Sequence, residues 1–218
     1  MRYFAKRSSM LAILAIAGAG APACWAQKWE VGVLGGGSLY NTDSVTSPFG
    51  SGQVGIKNGL AVGAYVASDM NKLFGGELRY EYLPGDLKLS SNGTETTFGG
   101  QTQAVHYDFL FHFASTEARI RPFVAVGGGV KFYQGTSKAT VTQPLSALAL
   151  LTNTHETKGL AVFGGGVKVK IAPRVSLRFE ASDFLTPFPR QVIAAAPGAK
   201  ISGLLHDIVF MGGLGIMF

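Results

Sequence analysis

The chain has 218 residues, of which 47% are hydrophobic and 15% charged, and its formal net charge is +6. The length suits a single domain. Three of the positive charges are Arg2, Lys6 and Arg7, so the remainder carries only +3. Its lysines and arginines are scattered, which excludes a strongly basic nucleic-acid-binding protein, and we expect no nucleic-acid partner.

The N-terminus has the pattern of a secretory signal peptide. Basic residues precede a short apolar run, Met10–Ala17, and small residues follow it. The run is too short to cross a bilayer as a helix. We therefore predict a signal peptide over residues 1–26, cleaved near Ala26, and a mature domain over residues 27–218. Cleavage there removes Cys24, the only cysteine. The proline before it disfavours lipidation.

Apolar and polar residues alternate in eight segments, which predicts eight strands. The clearest is the fourth, where Val105, Tyr107 and Phe109 alternate with His106 and Asp108. Most segments have about the nine to eleven residues that a tilted membrane strand needs. The predicted strands are Trp29–Tyr40, Gly59–Ala67, Gly76–Leu83, Gln103–Phe113, Arg121–Tyr133, Gly159–Ile171, Val175–Phe184 and Leu205–Phe218.

Short and long connections alternate strictly along the chain. The long ones are Asn41–Asn58, Pro84–Thr102, Gln134–Lys158 and Leu185–Gly203. Periplasmic turns and extracellular loops alternate in this way in outer-membrane barrels. A secreted β-sandwich is the alternative, but it would not require all long loops at one end. The predicted fold is all-β, an eight-stranded antiparallel up-and-down transmembrane β-barrel.

The last strand has one almost wholly apolar face up to its end. Phe210, Leu214, Ile216 and Phe218 lie on it. Such a strand would leave apolar surface in water, whereas it suits a strand that lies against lipid.

Three segments resemble the outer-membrane β-barrel domain family, which includes the OmpA membrane domain, OmpX and the opacity proteins. They are Arg121–Gly129 (RPFVAVGGG), Arg178–Phe184 (RFEASDF) and Phe210–Phe218. The resemblance implies a place in the cell outer membrane, contact with its lipid and lipopolysaccharide, and assembly by the barrel-assembly machinery. The apolar face of the last strand would be the assembly signal. Nothing follows Phe218, so we expect no periplasmic peptidoglycan-binding domain.

The alternation also places charged residues inside the barrel. An interior of this size is just wide enough for side chains to fill. Because a buried charge without a partner is costly, we expect these groups to pair and to close the lumen as a salt-bridged plug. Glu30 and Lys170 are expected to be solvated near the barrel mouths. The predicted network comprises Glu77, Arg79, Glu81, Asp108, Lys131, Lys168, Arg178, Glu180 and Asp207.

Three function classes remain open. The leading one is a structural or surface-interaction role through the long loops, with a possible extracellular ligand. The others are a narrow porin-like channel for small solutes or hydrophobic molecules, and a lipid A-modifying enzyme. The enzyme is disfavoured because Ile208 stands where a deacylase would have a serine after His206. His106 and His112 are too far apart on one strand to share a metal. We expect no metal and no cofactor.

One loop segment is unusually apolar for an exposed loop. Pro144–Leu151 is predicted either to form a helix, touch the leaflet or dock a partner, or to fold over the barrel mouth. The group Phe184, Pro187, Phe188 and Pro189 is predicted to form an aromatic rim at the membrane interface.

Overall fold

The computed structural model describes residues 28–137, 143–201 and 203–218. The predicted signal peptide and Cys24 lie outside these residues. In the described part of the chain, no helix is long and apolar enough to cross a membrane. The strands are β1 (Trp29–Tyr40), β2 (Asp43–Ser47), β3 (Gly50–Ile56), β4 (Gly59–Asp69), β5 (Phe74–Pro84), β6 (Leu87–Ser91), β7 (Thr94–Phe98), β8 (Gly100–His112), β9 (Ile120–Gly135), β10 (Ala149–Leu151), β11 (His155–Ala172), β12 (Val175–Pro187), β13 (Ile193–Ala195), β14 (Lys200–Ile201) and β15 (Leu204–Met217).

Eight of these strands close into a barrel. Their order around the ring is β1-β15-β12-β11-β9-β8-β5-β4, and every pair is antiparallel. The pairing of β1 with β15 closes the ring and leaves no open edge. The predicted eight-stranded barrel is therefore confirmed. Most barrel strands extend beyond their predicted bounds, and β11 begins four residues before the predicted Gly159.

The barrel has an apolar outer face and a buried inner face. Val33, Leu60 and Phe109 point outward and are 63%, 71% and 62% exposed. Alternate residues such as Tyr65 and His106 point inward and are almost completely buried. This is the period-two alternation of a strand that separates two environments.

Glycine lets neighbouring strands approach closely at several positions, of which Gly36 is an example. A Cβ atom on Gly36 would overlap the backbone of Phe210 in β15, whereas a Cβ on Gly35 would meet nothing within 4 Å. We expect Gly36→Ala to lower the free energy of unfolding by about 1–3 kcal/mol through overpacking. Gly35→Ala is the matched control and should change it by less than about 0.5 kcal/mol. Urea titration of the folded barrel measures both, and equal effects would contradict the close approach.

The other seven strands belong to the four long connections and form what we call the cap: β2, β3, β6, β7, β10, β13 and β14. Five of them form one sheet in the order β14-β2-β3-β6-β7, and β10 pairs with β13. Sequence alternation predicted no strands here. The cap has its own apolar core, which also includes the barrel residues Tyr40 and Tyr133. Its fully buried members include Val45, Val54, Leu89, Val192 and Ile193.

The apolar segment Pro144–Leu151 contributes to this core. Leu148 and Leu151 are 5% and 1% exposed, whereas Leu150 is 43% exposed. The side chain of Gln143 donates to the carbonyl of Leu151 at 2.7 Å and accepts from its N–H at 3.0 Å. The segment therefore folds over the barrel mouth, which was one of the two predicted alternatives.

The predicted aromatic rim is wrong. Phe184 is 1% exposed because it lies on the inward face of β12, and Phe188 is 2% exposed because it packs in the cap core. Pro189 is also buried. After β12 the chain thus folds over the mouth of the barrel and does not lie along the outer surface.

Candidate functional site

The centre of the lumen holds five interacting charged side chains, which we call the central cluster: Glu77, Arg79, Glu81, Arg178 and Glu180. Arg79 Nε donates to Glu77 Oε1 at 2.8 Å, and its terminal nitrogens contact Glu81 and Glu180. Arg178 Nε donates to Glu180 Oε2 at 2.5 Å, and its Nη1 contacts Glu77. The two arginines thus share Glu77 and Glu180, and of the two Glu81 contacts only Arg79.

Strand geometry explains why these residues meet. Residues two apart on a strand point to the same side, so each strand supplies a short row of charges. Glu77, Arg79 and Glu81 come from β5, and Arg178 and Glu180 from β12. These strands are four positions apart in the ring of eight. The cluster therefore spans the lumen from one wall to the opposite one.

Aromatic side chains complete the surroundings of Arg178. Its guanidinium carbon lies 4.8 Å from the ring centre of Tyr65 and 4.6 Å from that of Phe123. Cation–π contacts are stronger where the cation is removed from water. Arg178 is completely buried, so its charge is balanced by carboxylates and aromatic faces together.

A second layer lies between the central cluster and the short-turn end. Lys168 Nζ donates to Glu30 Oε2 at 2.8 Å. The hydroxyls of Tyr65 and Ser176 donate to Glu30 Oε1 at 2.6 and 2.8 Å. The prediction that Glu30 is solvated is wrong, since it is 7% exposed. Side chains from three other strands reach over it. Lys170 lies at the mouth and is half-buried.

A third layer lies towards the cap. Lys131 Nζ donates to Asp207 Oδ2 at 2.6 Å, and both side chains are completely buried. The ammonium also lies 4.8 Å from the ring centre of Tyr40. Asp108 lies beside the central cluster, where it pairs with His106 at 2.8 Å and not with an arginine. His106 also lies 3.8 Å from a carboxylate of that cluster. The predicted charges thus form one cluster, to which Asp108 is connected through His106, and separate lysine–carboxylate pairs.

Sequence reasoning missed several partners in these layers. Tyr40, Tyr65 and Tyr133 are uncharged, so a search for charges could not find them. Their inward position was nevertheless predictable from the alternation.

An ion-pair contact also connects parts of the cap. The exposed carboxylate of Glu95 accepts hydrogen bonds from Lys57 and from Lys88, and these bonds lower the pKa of Glu95. That contact connects β7 with β6 and the end of the first long connection.

His206 lies beside a carboxylate of the neighbouring strand β12. In the described ranges, no group of three or more His, Cys, Asp or Glu side chains is placed to hold a metal. His206 contacts Asp183 at 2.9 Å, not its sequence neighbour Asp207, which points into the lumen. Neither His206 nor Asp183 has a hydrogen bond to a serine among the residues with assigned positions.

Comparisons with known proteins agree with this architecture. Neisserial surface protein A is 10% identical, with a TM-score of 0.51 over 88% of this chain and 97% of that one. OprG from Pseudomonas aeruginosa is 9% identical, with a TM-score of 0.51 over 87% of this chain and 95% of that one. At these identities the likeness shows the fold alone. No curated protein matches the chain by sequence.

A family model, the outer membrane protein beta-barrel domain, matches residues 9–188, which is most of the chain. The match includes seven of the eight barrel strands and leaves out β15, which the structure supplies. The apolar outer face and the closed ring are what a membrane-spanning barrel requires. The chain belongs to the outer-membrane protein β-barrel domain family.

Proposed function

We propose that this protein is a non-conducting outer-membrane barrel with a structural or surface-interaction role. The central cluster carries the proposal. Its two arginines and three glutamates are almost completely buried and extend across the lumen. An aqueous pore would need solvated walls instead.

The cap supports the same proposal from the other end. In small outer-membrane barrels the long connections lie outside the cell and the short turns in the periplasm. Here the long connections pack around a common apolar core over the mouth. A loop structure that is held by its own core presents a fixed surface to a partner. The tip of the β2–β3 hairpin exposes Phe49 at 81%, which offers an apolar contact point for an extracellular ligand.

Conductance is the decisive measurement for the closed lumen. We expect the folded protein in planar bilayers to show no steady single-channel steps, because charged and aromatic side chains fill the interior. A general porin reconstituted in the same way is the positive control. Steady steps in the unmodified protein would contradict the closed lumen. The channel alternative would be supported if these steps disappeared in Arg79→Ala or Arg178→Ala but persisted in the surface variant Arg190→Ala.

We also propose that the protein is not an enzyme. The His206–Asp183 pair is the nearest approach to a hydrolytic arrangement, and both groups are only partly exposed, at 39% and 34% of their side chains. Mass spectrometry of lipid A from cells with and without the protein should give identical acylation patterns. A loss of one acyl chain that depends on His206 would favour the enzyme.

The signal peptide over residues 1–26, with cleavage near Ala26, remains part of the proposal. So does recognition of Phe210, Leu214, Ile216 and Phe218 by the assembly machinery. The exposure of these side chains supports the proposal: Phe210, Leu214 and Ile216 lie on the outer face of β15, and Phe218 is exposed just beyond its end. That position is accessible to an assembly factor before lipid surrounds the barrel.

A further inference from the structure

The short-turn mouth of the barrel contains a pocket that the proposed function does not use. Its volume is about 250 Å³, and its floor is the Glu30–Lys168 layer. Pockets for drug-sized ligands occupy about 300–1,000 Å³. This pocket therefore suits a small chemical group.

The lining of the pocket is strongly cationic. It contains six basic side chains: Lys28, Arg119, Arg121, Lys168, Lys170 and Arg174. Three of them have carboxylate partners. Lys28 pairs with Glu117 at 3.3 Å, Arg121 with Asp69 at 2.8 Å, and Lys168 with Glu30 at 2.8 Å.

The other three, Arg119, Lys170 and Arg174, form no ion pair with any residue of described position. Three positive charges in the mouth therefore have no carboxylate partner among the described residues. A singly charged carboxylate would balance only one of them, whereas a phosphate carries up to two charges and several acceptor oxygens.

The backbone holds the two arginines at the rim. The carbonyl of Arg119 accepts from the N–H of Lys170 at 2.8 Å, and the carbonyl of Arg174 accepts from the N–H of Met217 at 2.8 Å. Their positions are therefore tied to the strand ends β11 and β15. Arginine's planar fork matches phosphate oxygens in a bidentate manner.

We propose that the short-turn mouth is a phosphate-binding site formed by Arg119, Lys170 and Arg174. In the orientation of the family it opens to the periplasm. The phosphate can come from a soluble periplasmic phosphate compound or from the headgroup of an inner-leaflet phospholipid. The site does not depend on the closure of the lumen, because the Glu30–Lys168 layer separates it from the central cluster.

Calorimetric titration of the full chain, folded in zwitterionic detergent, tests the proposal. One arm uses inorganic phosphate, and the other uses a short-chain phosphatidic acid in the same micelles. The salt concentration is about 0.15 M, where screening removes interactions beyond about 8 Å. We expect saturable binding that Arg119→Ala/Lys170→Ala/Arg174→Ala weakens at least about tenfold, a change of about 1.4 kcal/mol.

The matched control removes three basic residues at the opposite end, Lys88→Ala/Lys158→Ala/Lys200→Ala, and should change affinity by less than about twofold. If the triple mouth variant does not fold, Arg119→Gln/Arg174→Gln changes only exposed turn residues and should still weaken binding. Binding of phosphate alone identifies a soluble source, and binding of the lipid alone identifies a headgroup. Absence of saturable binding in both arms, or binding that the mouth variants leave unchanged, would overturn the proposal.

Discussion

Arg178→Met is expected to lower the free energy of unfolding of the barrel by about 3–5 kcal/mol. Removing one partner of a buried ion pair leaves the other charge in a medium that cannot solvate it. Here the substitution leaves Glu77 and Glu180 with one arginine where the structure has two. Methionine keeps most of the side-chain volume, so the loss reports the missing charge and not a cavity.

Urea titration measures this effect, with the folded fraction read from the faster gel migration of the unboiled barrel. Arg190→Met is the matched control, since Arg190 is exposed in the cap. It should cost less than about 0.5 kcal/mol.

The double variant Arg178→Met/Glu77→Gln separates charge from packing. Neutralising Glu77 as well should recover part of the lost stability, because the effects of substitutions at residues in direct contact are not additive. A loss below about 1 kcal/mol in the single variant, or no recovery in the double variant, would show that water reaches the cluster. That result would also weaken the proposal of a closed lumen.

The alternation of apolar and polar residues was sufficient to predict the barrel, but it did not predict which charged side chains pair in the lumen. Alternation assigns a face to each residue, and it correctly put Arg79 and Lys168 inside. It cannot assign a partner, because Glu30 and Lys168 are 138 residues apart and meet only after the ring closes. Asp108 shows the same limit, since it pairs with His106, two residues earlier on its own strand, and not with an arginine.

The strands of the cap could not be predicted from the sequence, for a different reason. Its strands are two to seven residues long, and a period of two is hard to recognise over so few residues. They are rich in Ser, Thr and Gly, which are typical of loops. Each long connection contributes only a few apolar residues to a core shared by all four. Phe188 therefore looked like an interfacial residue although it packs in that core.

The core of the cap leads to the second large expected effect, Leu89→Ala. Leu89 is completely buried between strands from different connections. Removing buried Leu side-chain carbons costs about 2–5 kcal/mol, depending on how far the site collapses. The cap should then open locally more often. Each 1.4 kcal/mol raises the open population tenfold, so trypsin should cut at Lys88 at least about tenfold faster.

Leu150→Ala is the matched control, because it is the same substitution in the cap at a side chain that is 43% exposed. Its cleavage rate should stay within about twofold of the unmodified protein. The urea midpoint of the barrel should be unchanged in both variants, since the ring of eight strands has its own closed hydrogen-bond pattern. Equal cleavage in Leu89→Ala and Leu150→Ala would mean that the cap core does not hold the loops. A fall in the barrel midpoint with Leu89→Ala would mean that cap and lumen unfold as one unit, because Tyr40 and Tyr133 belong to both.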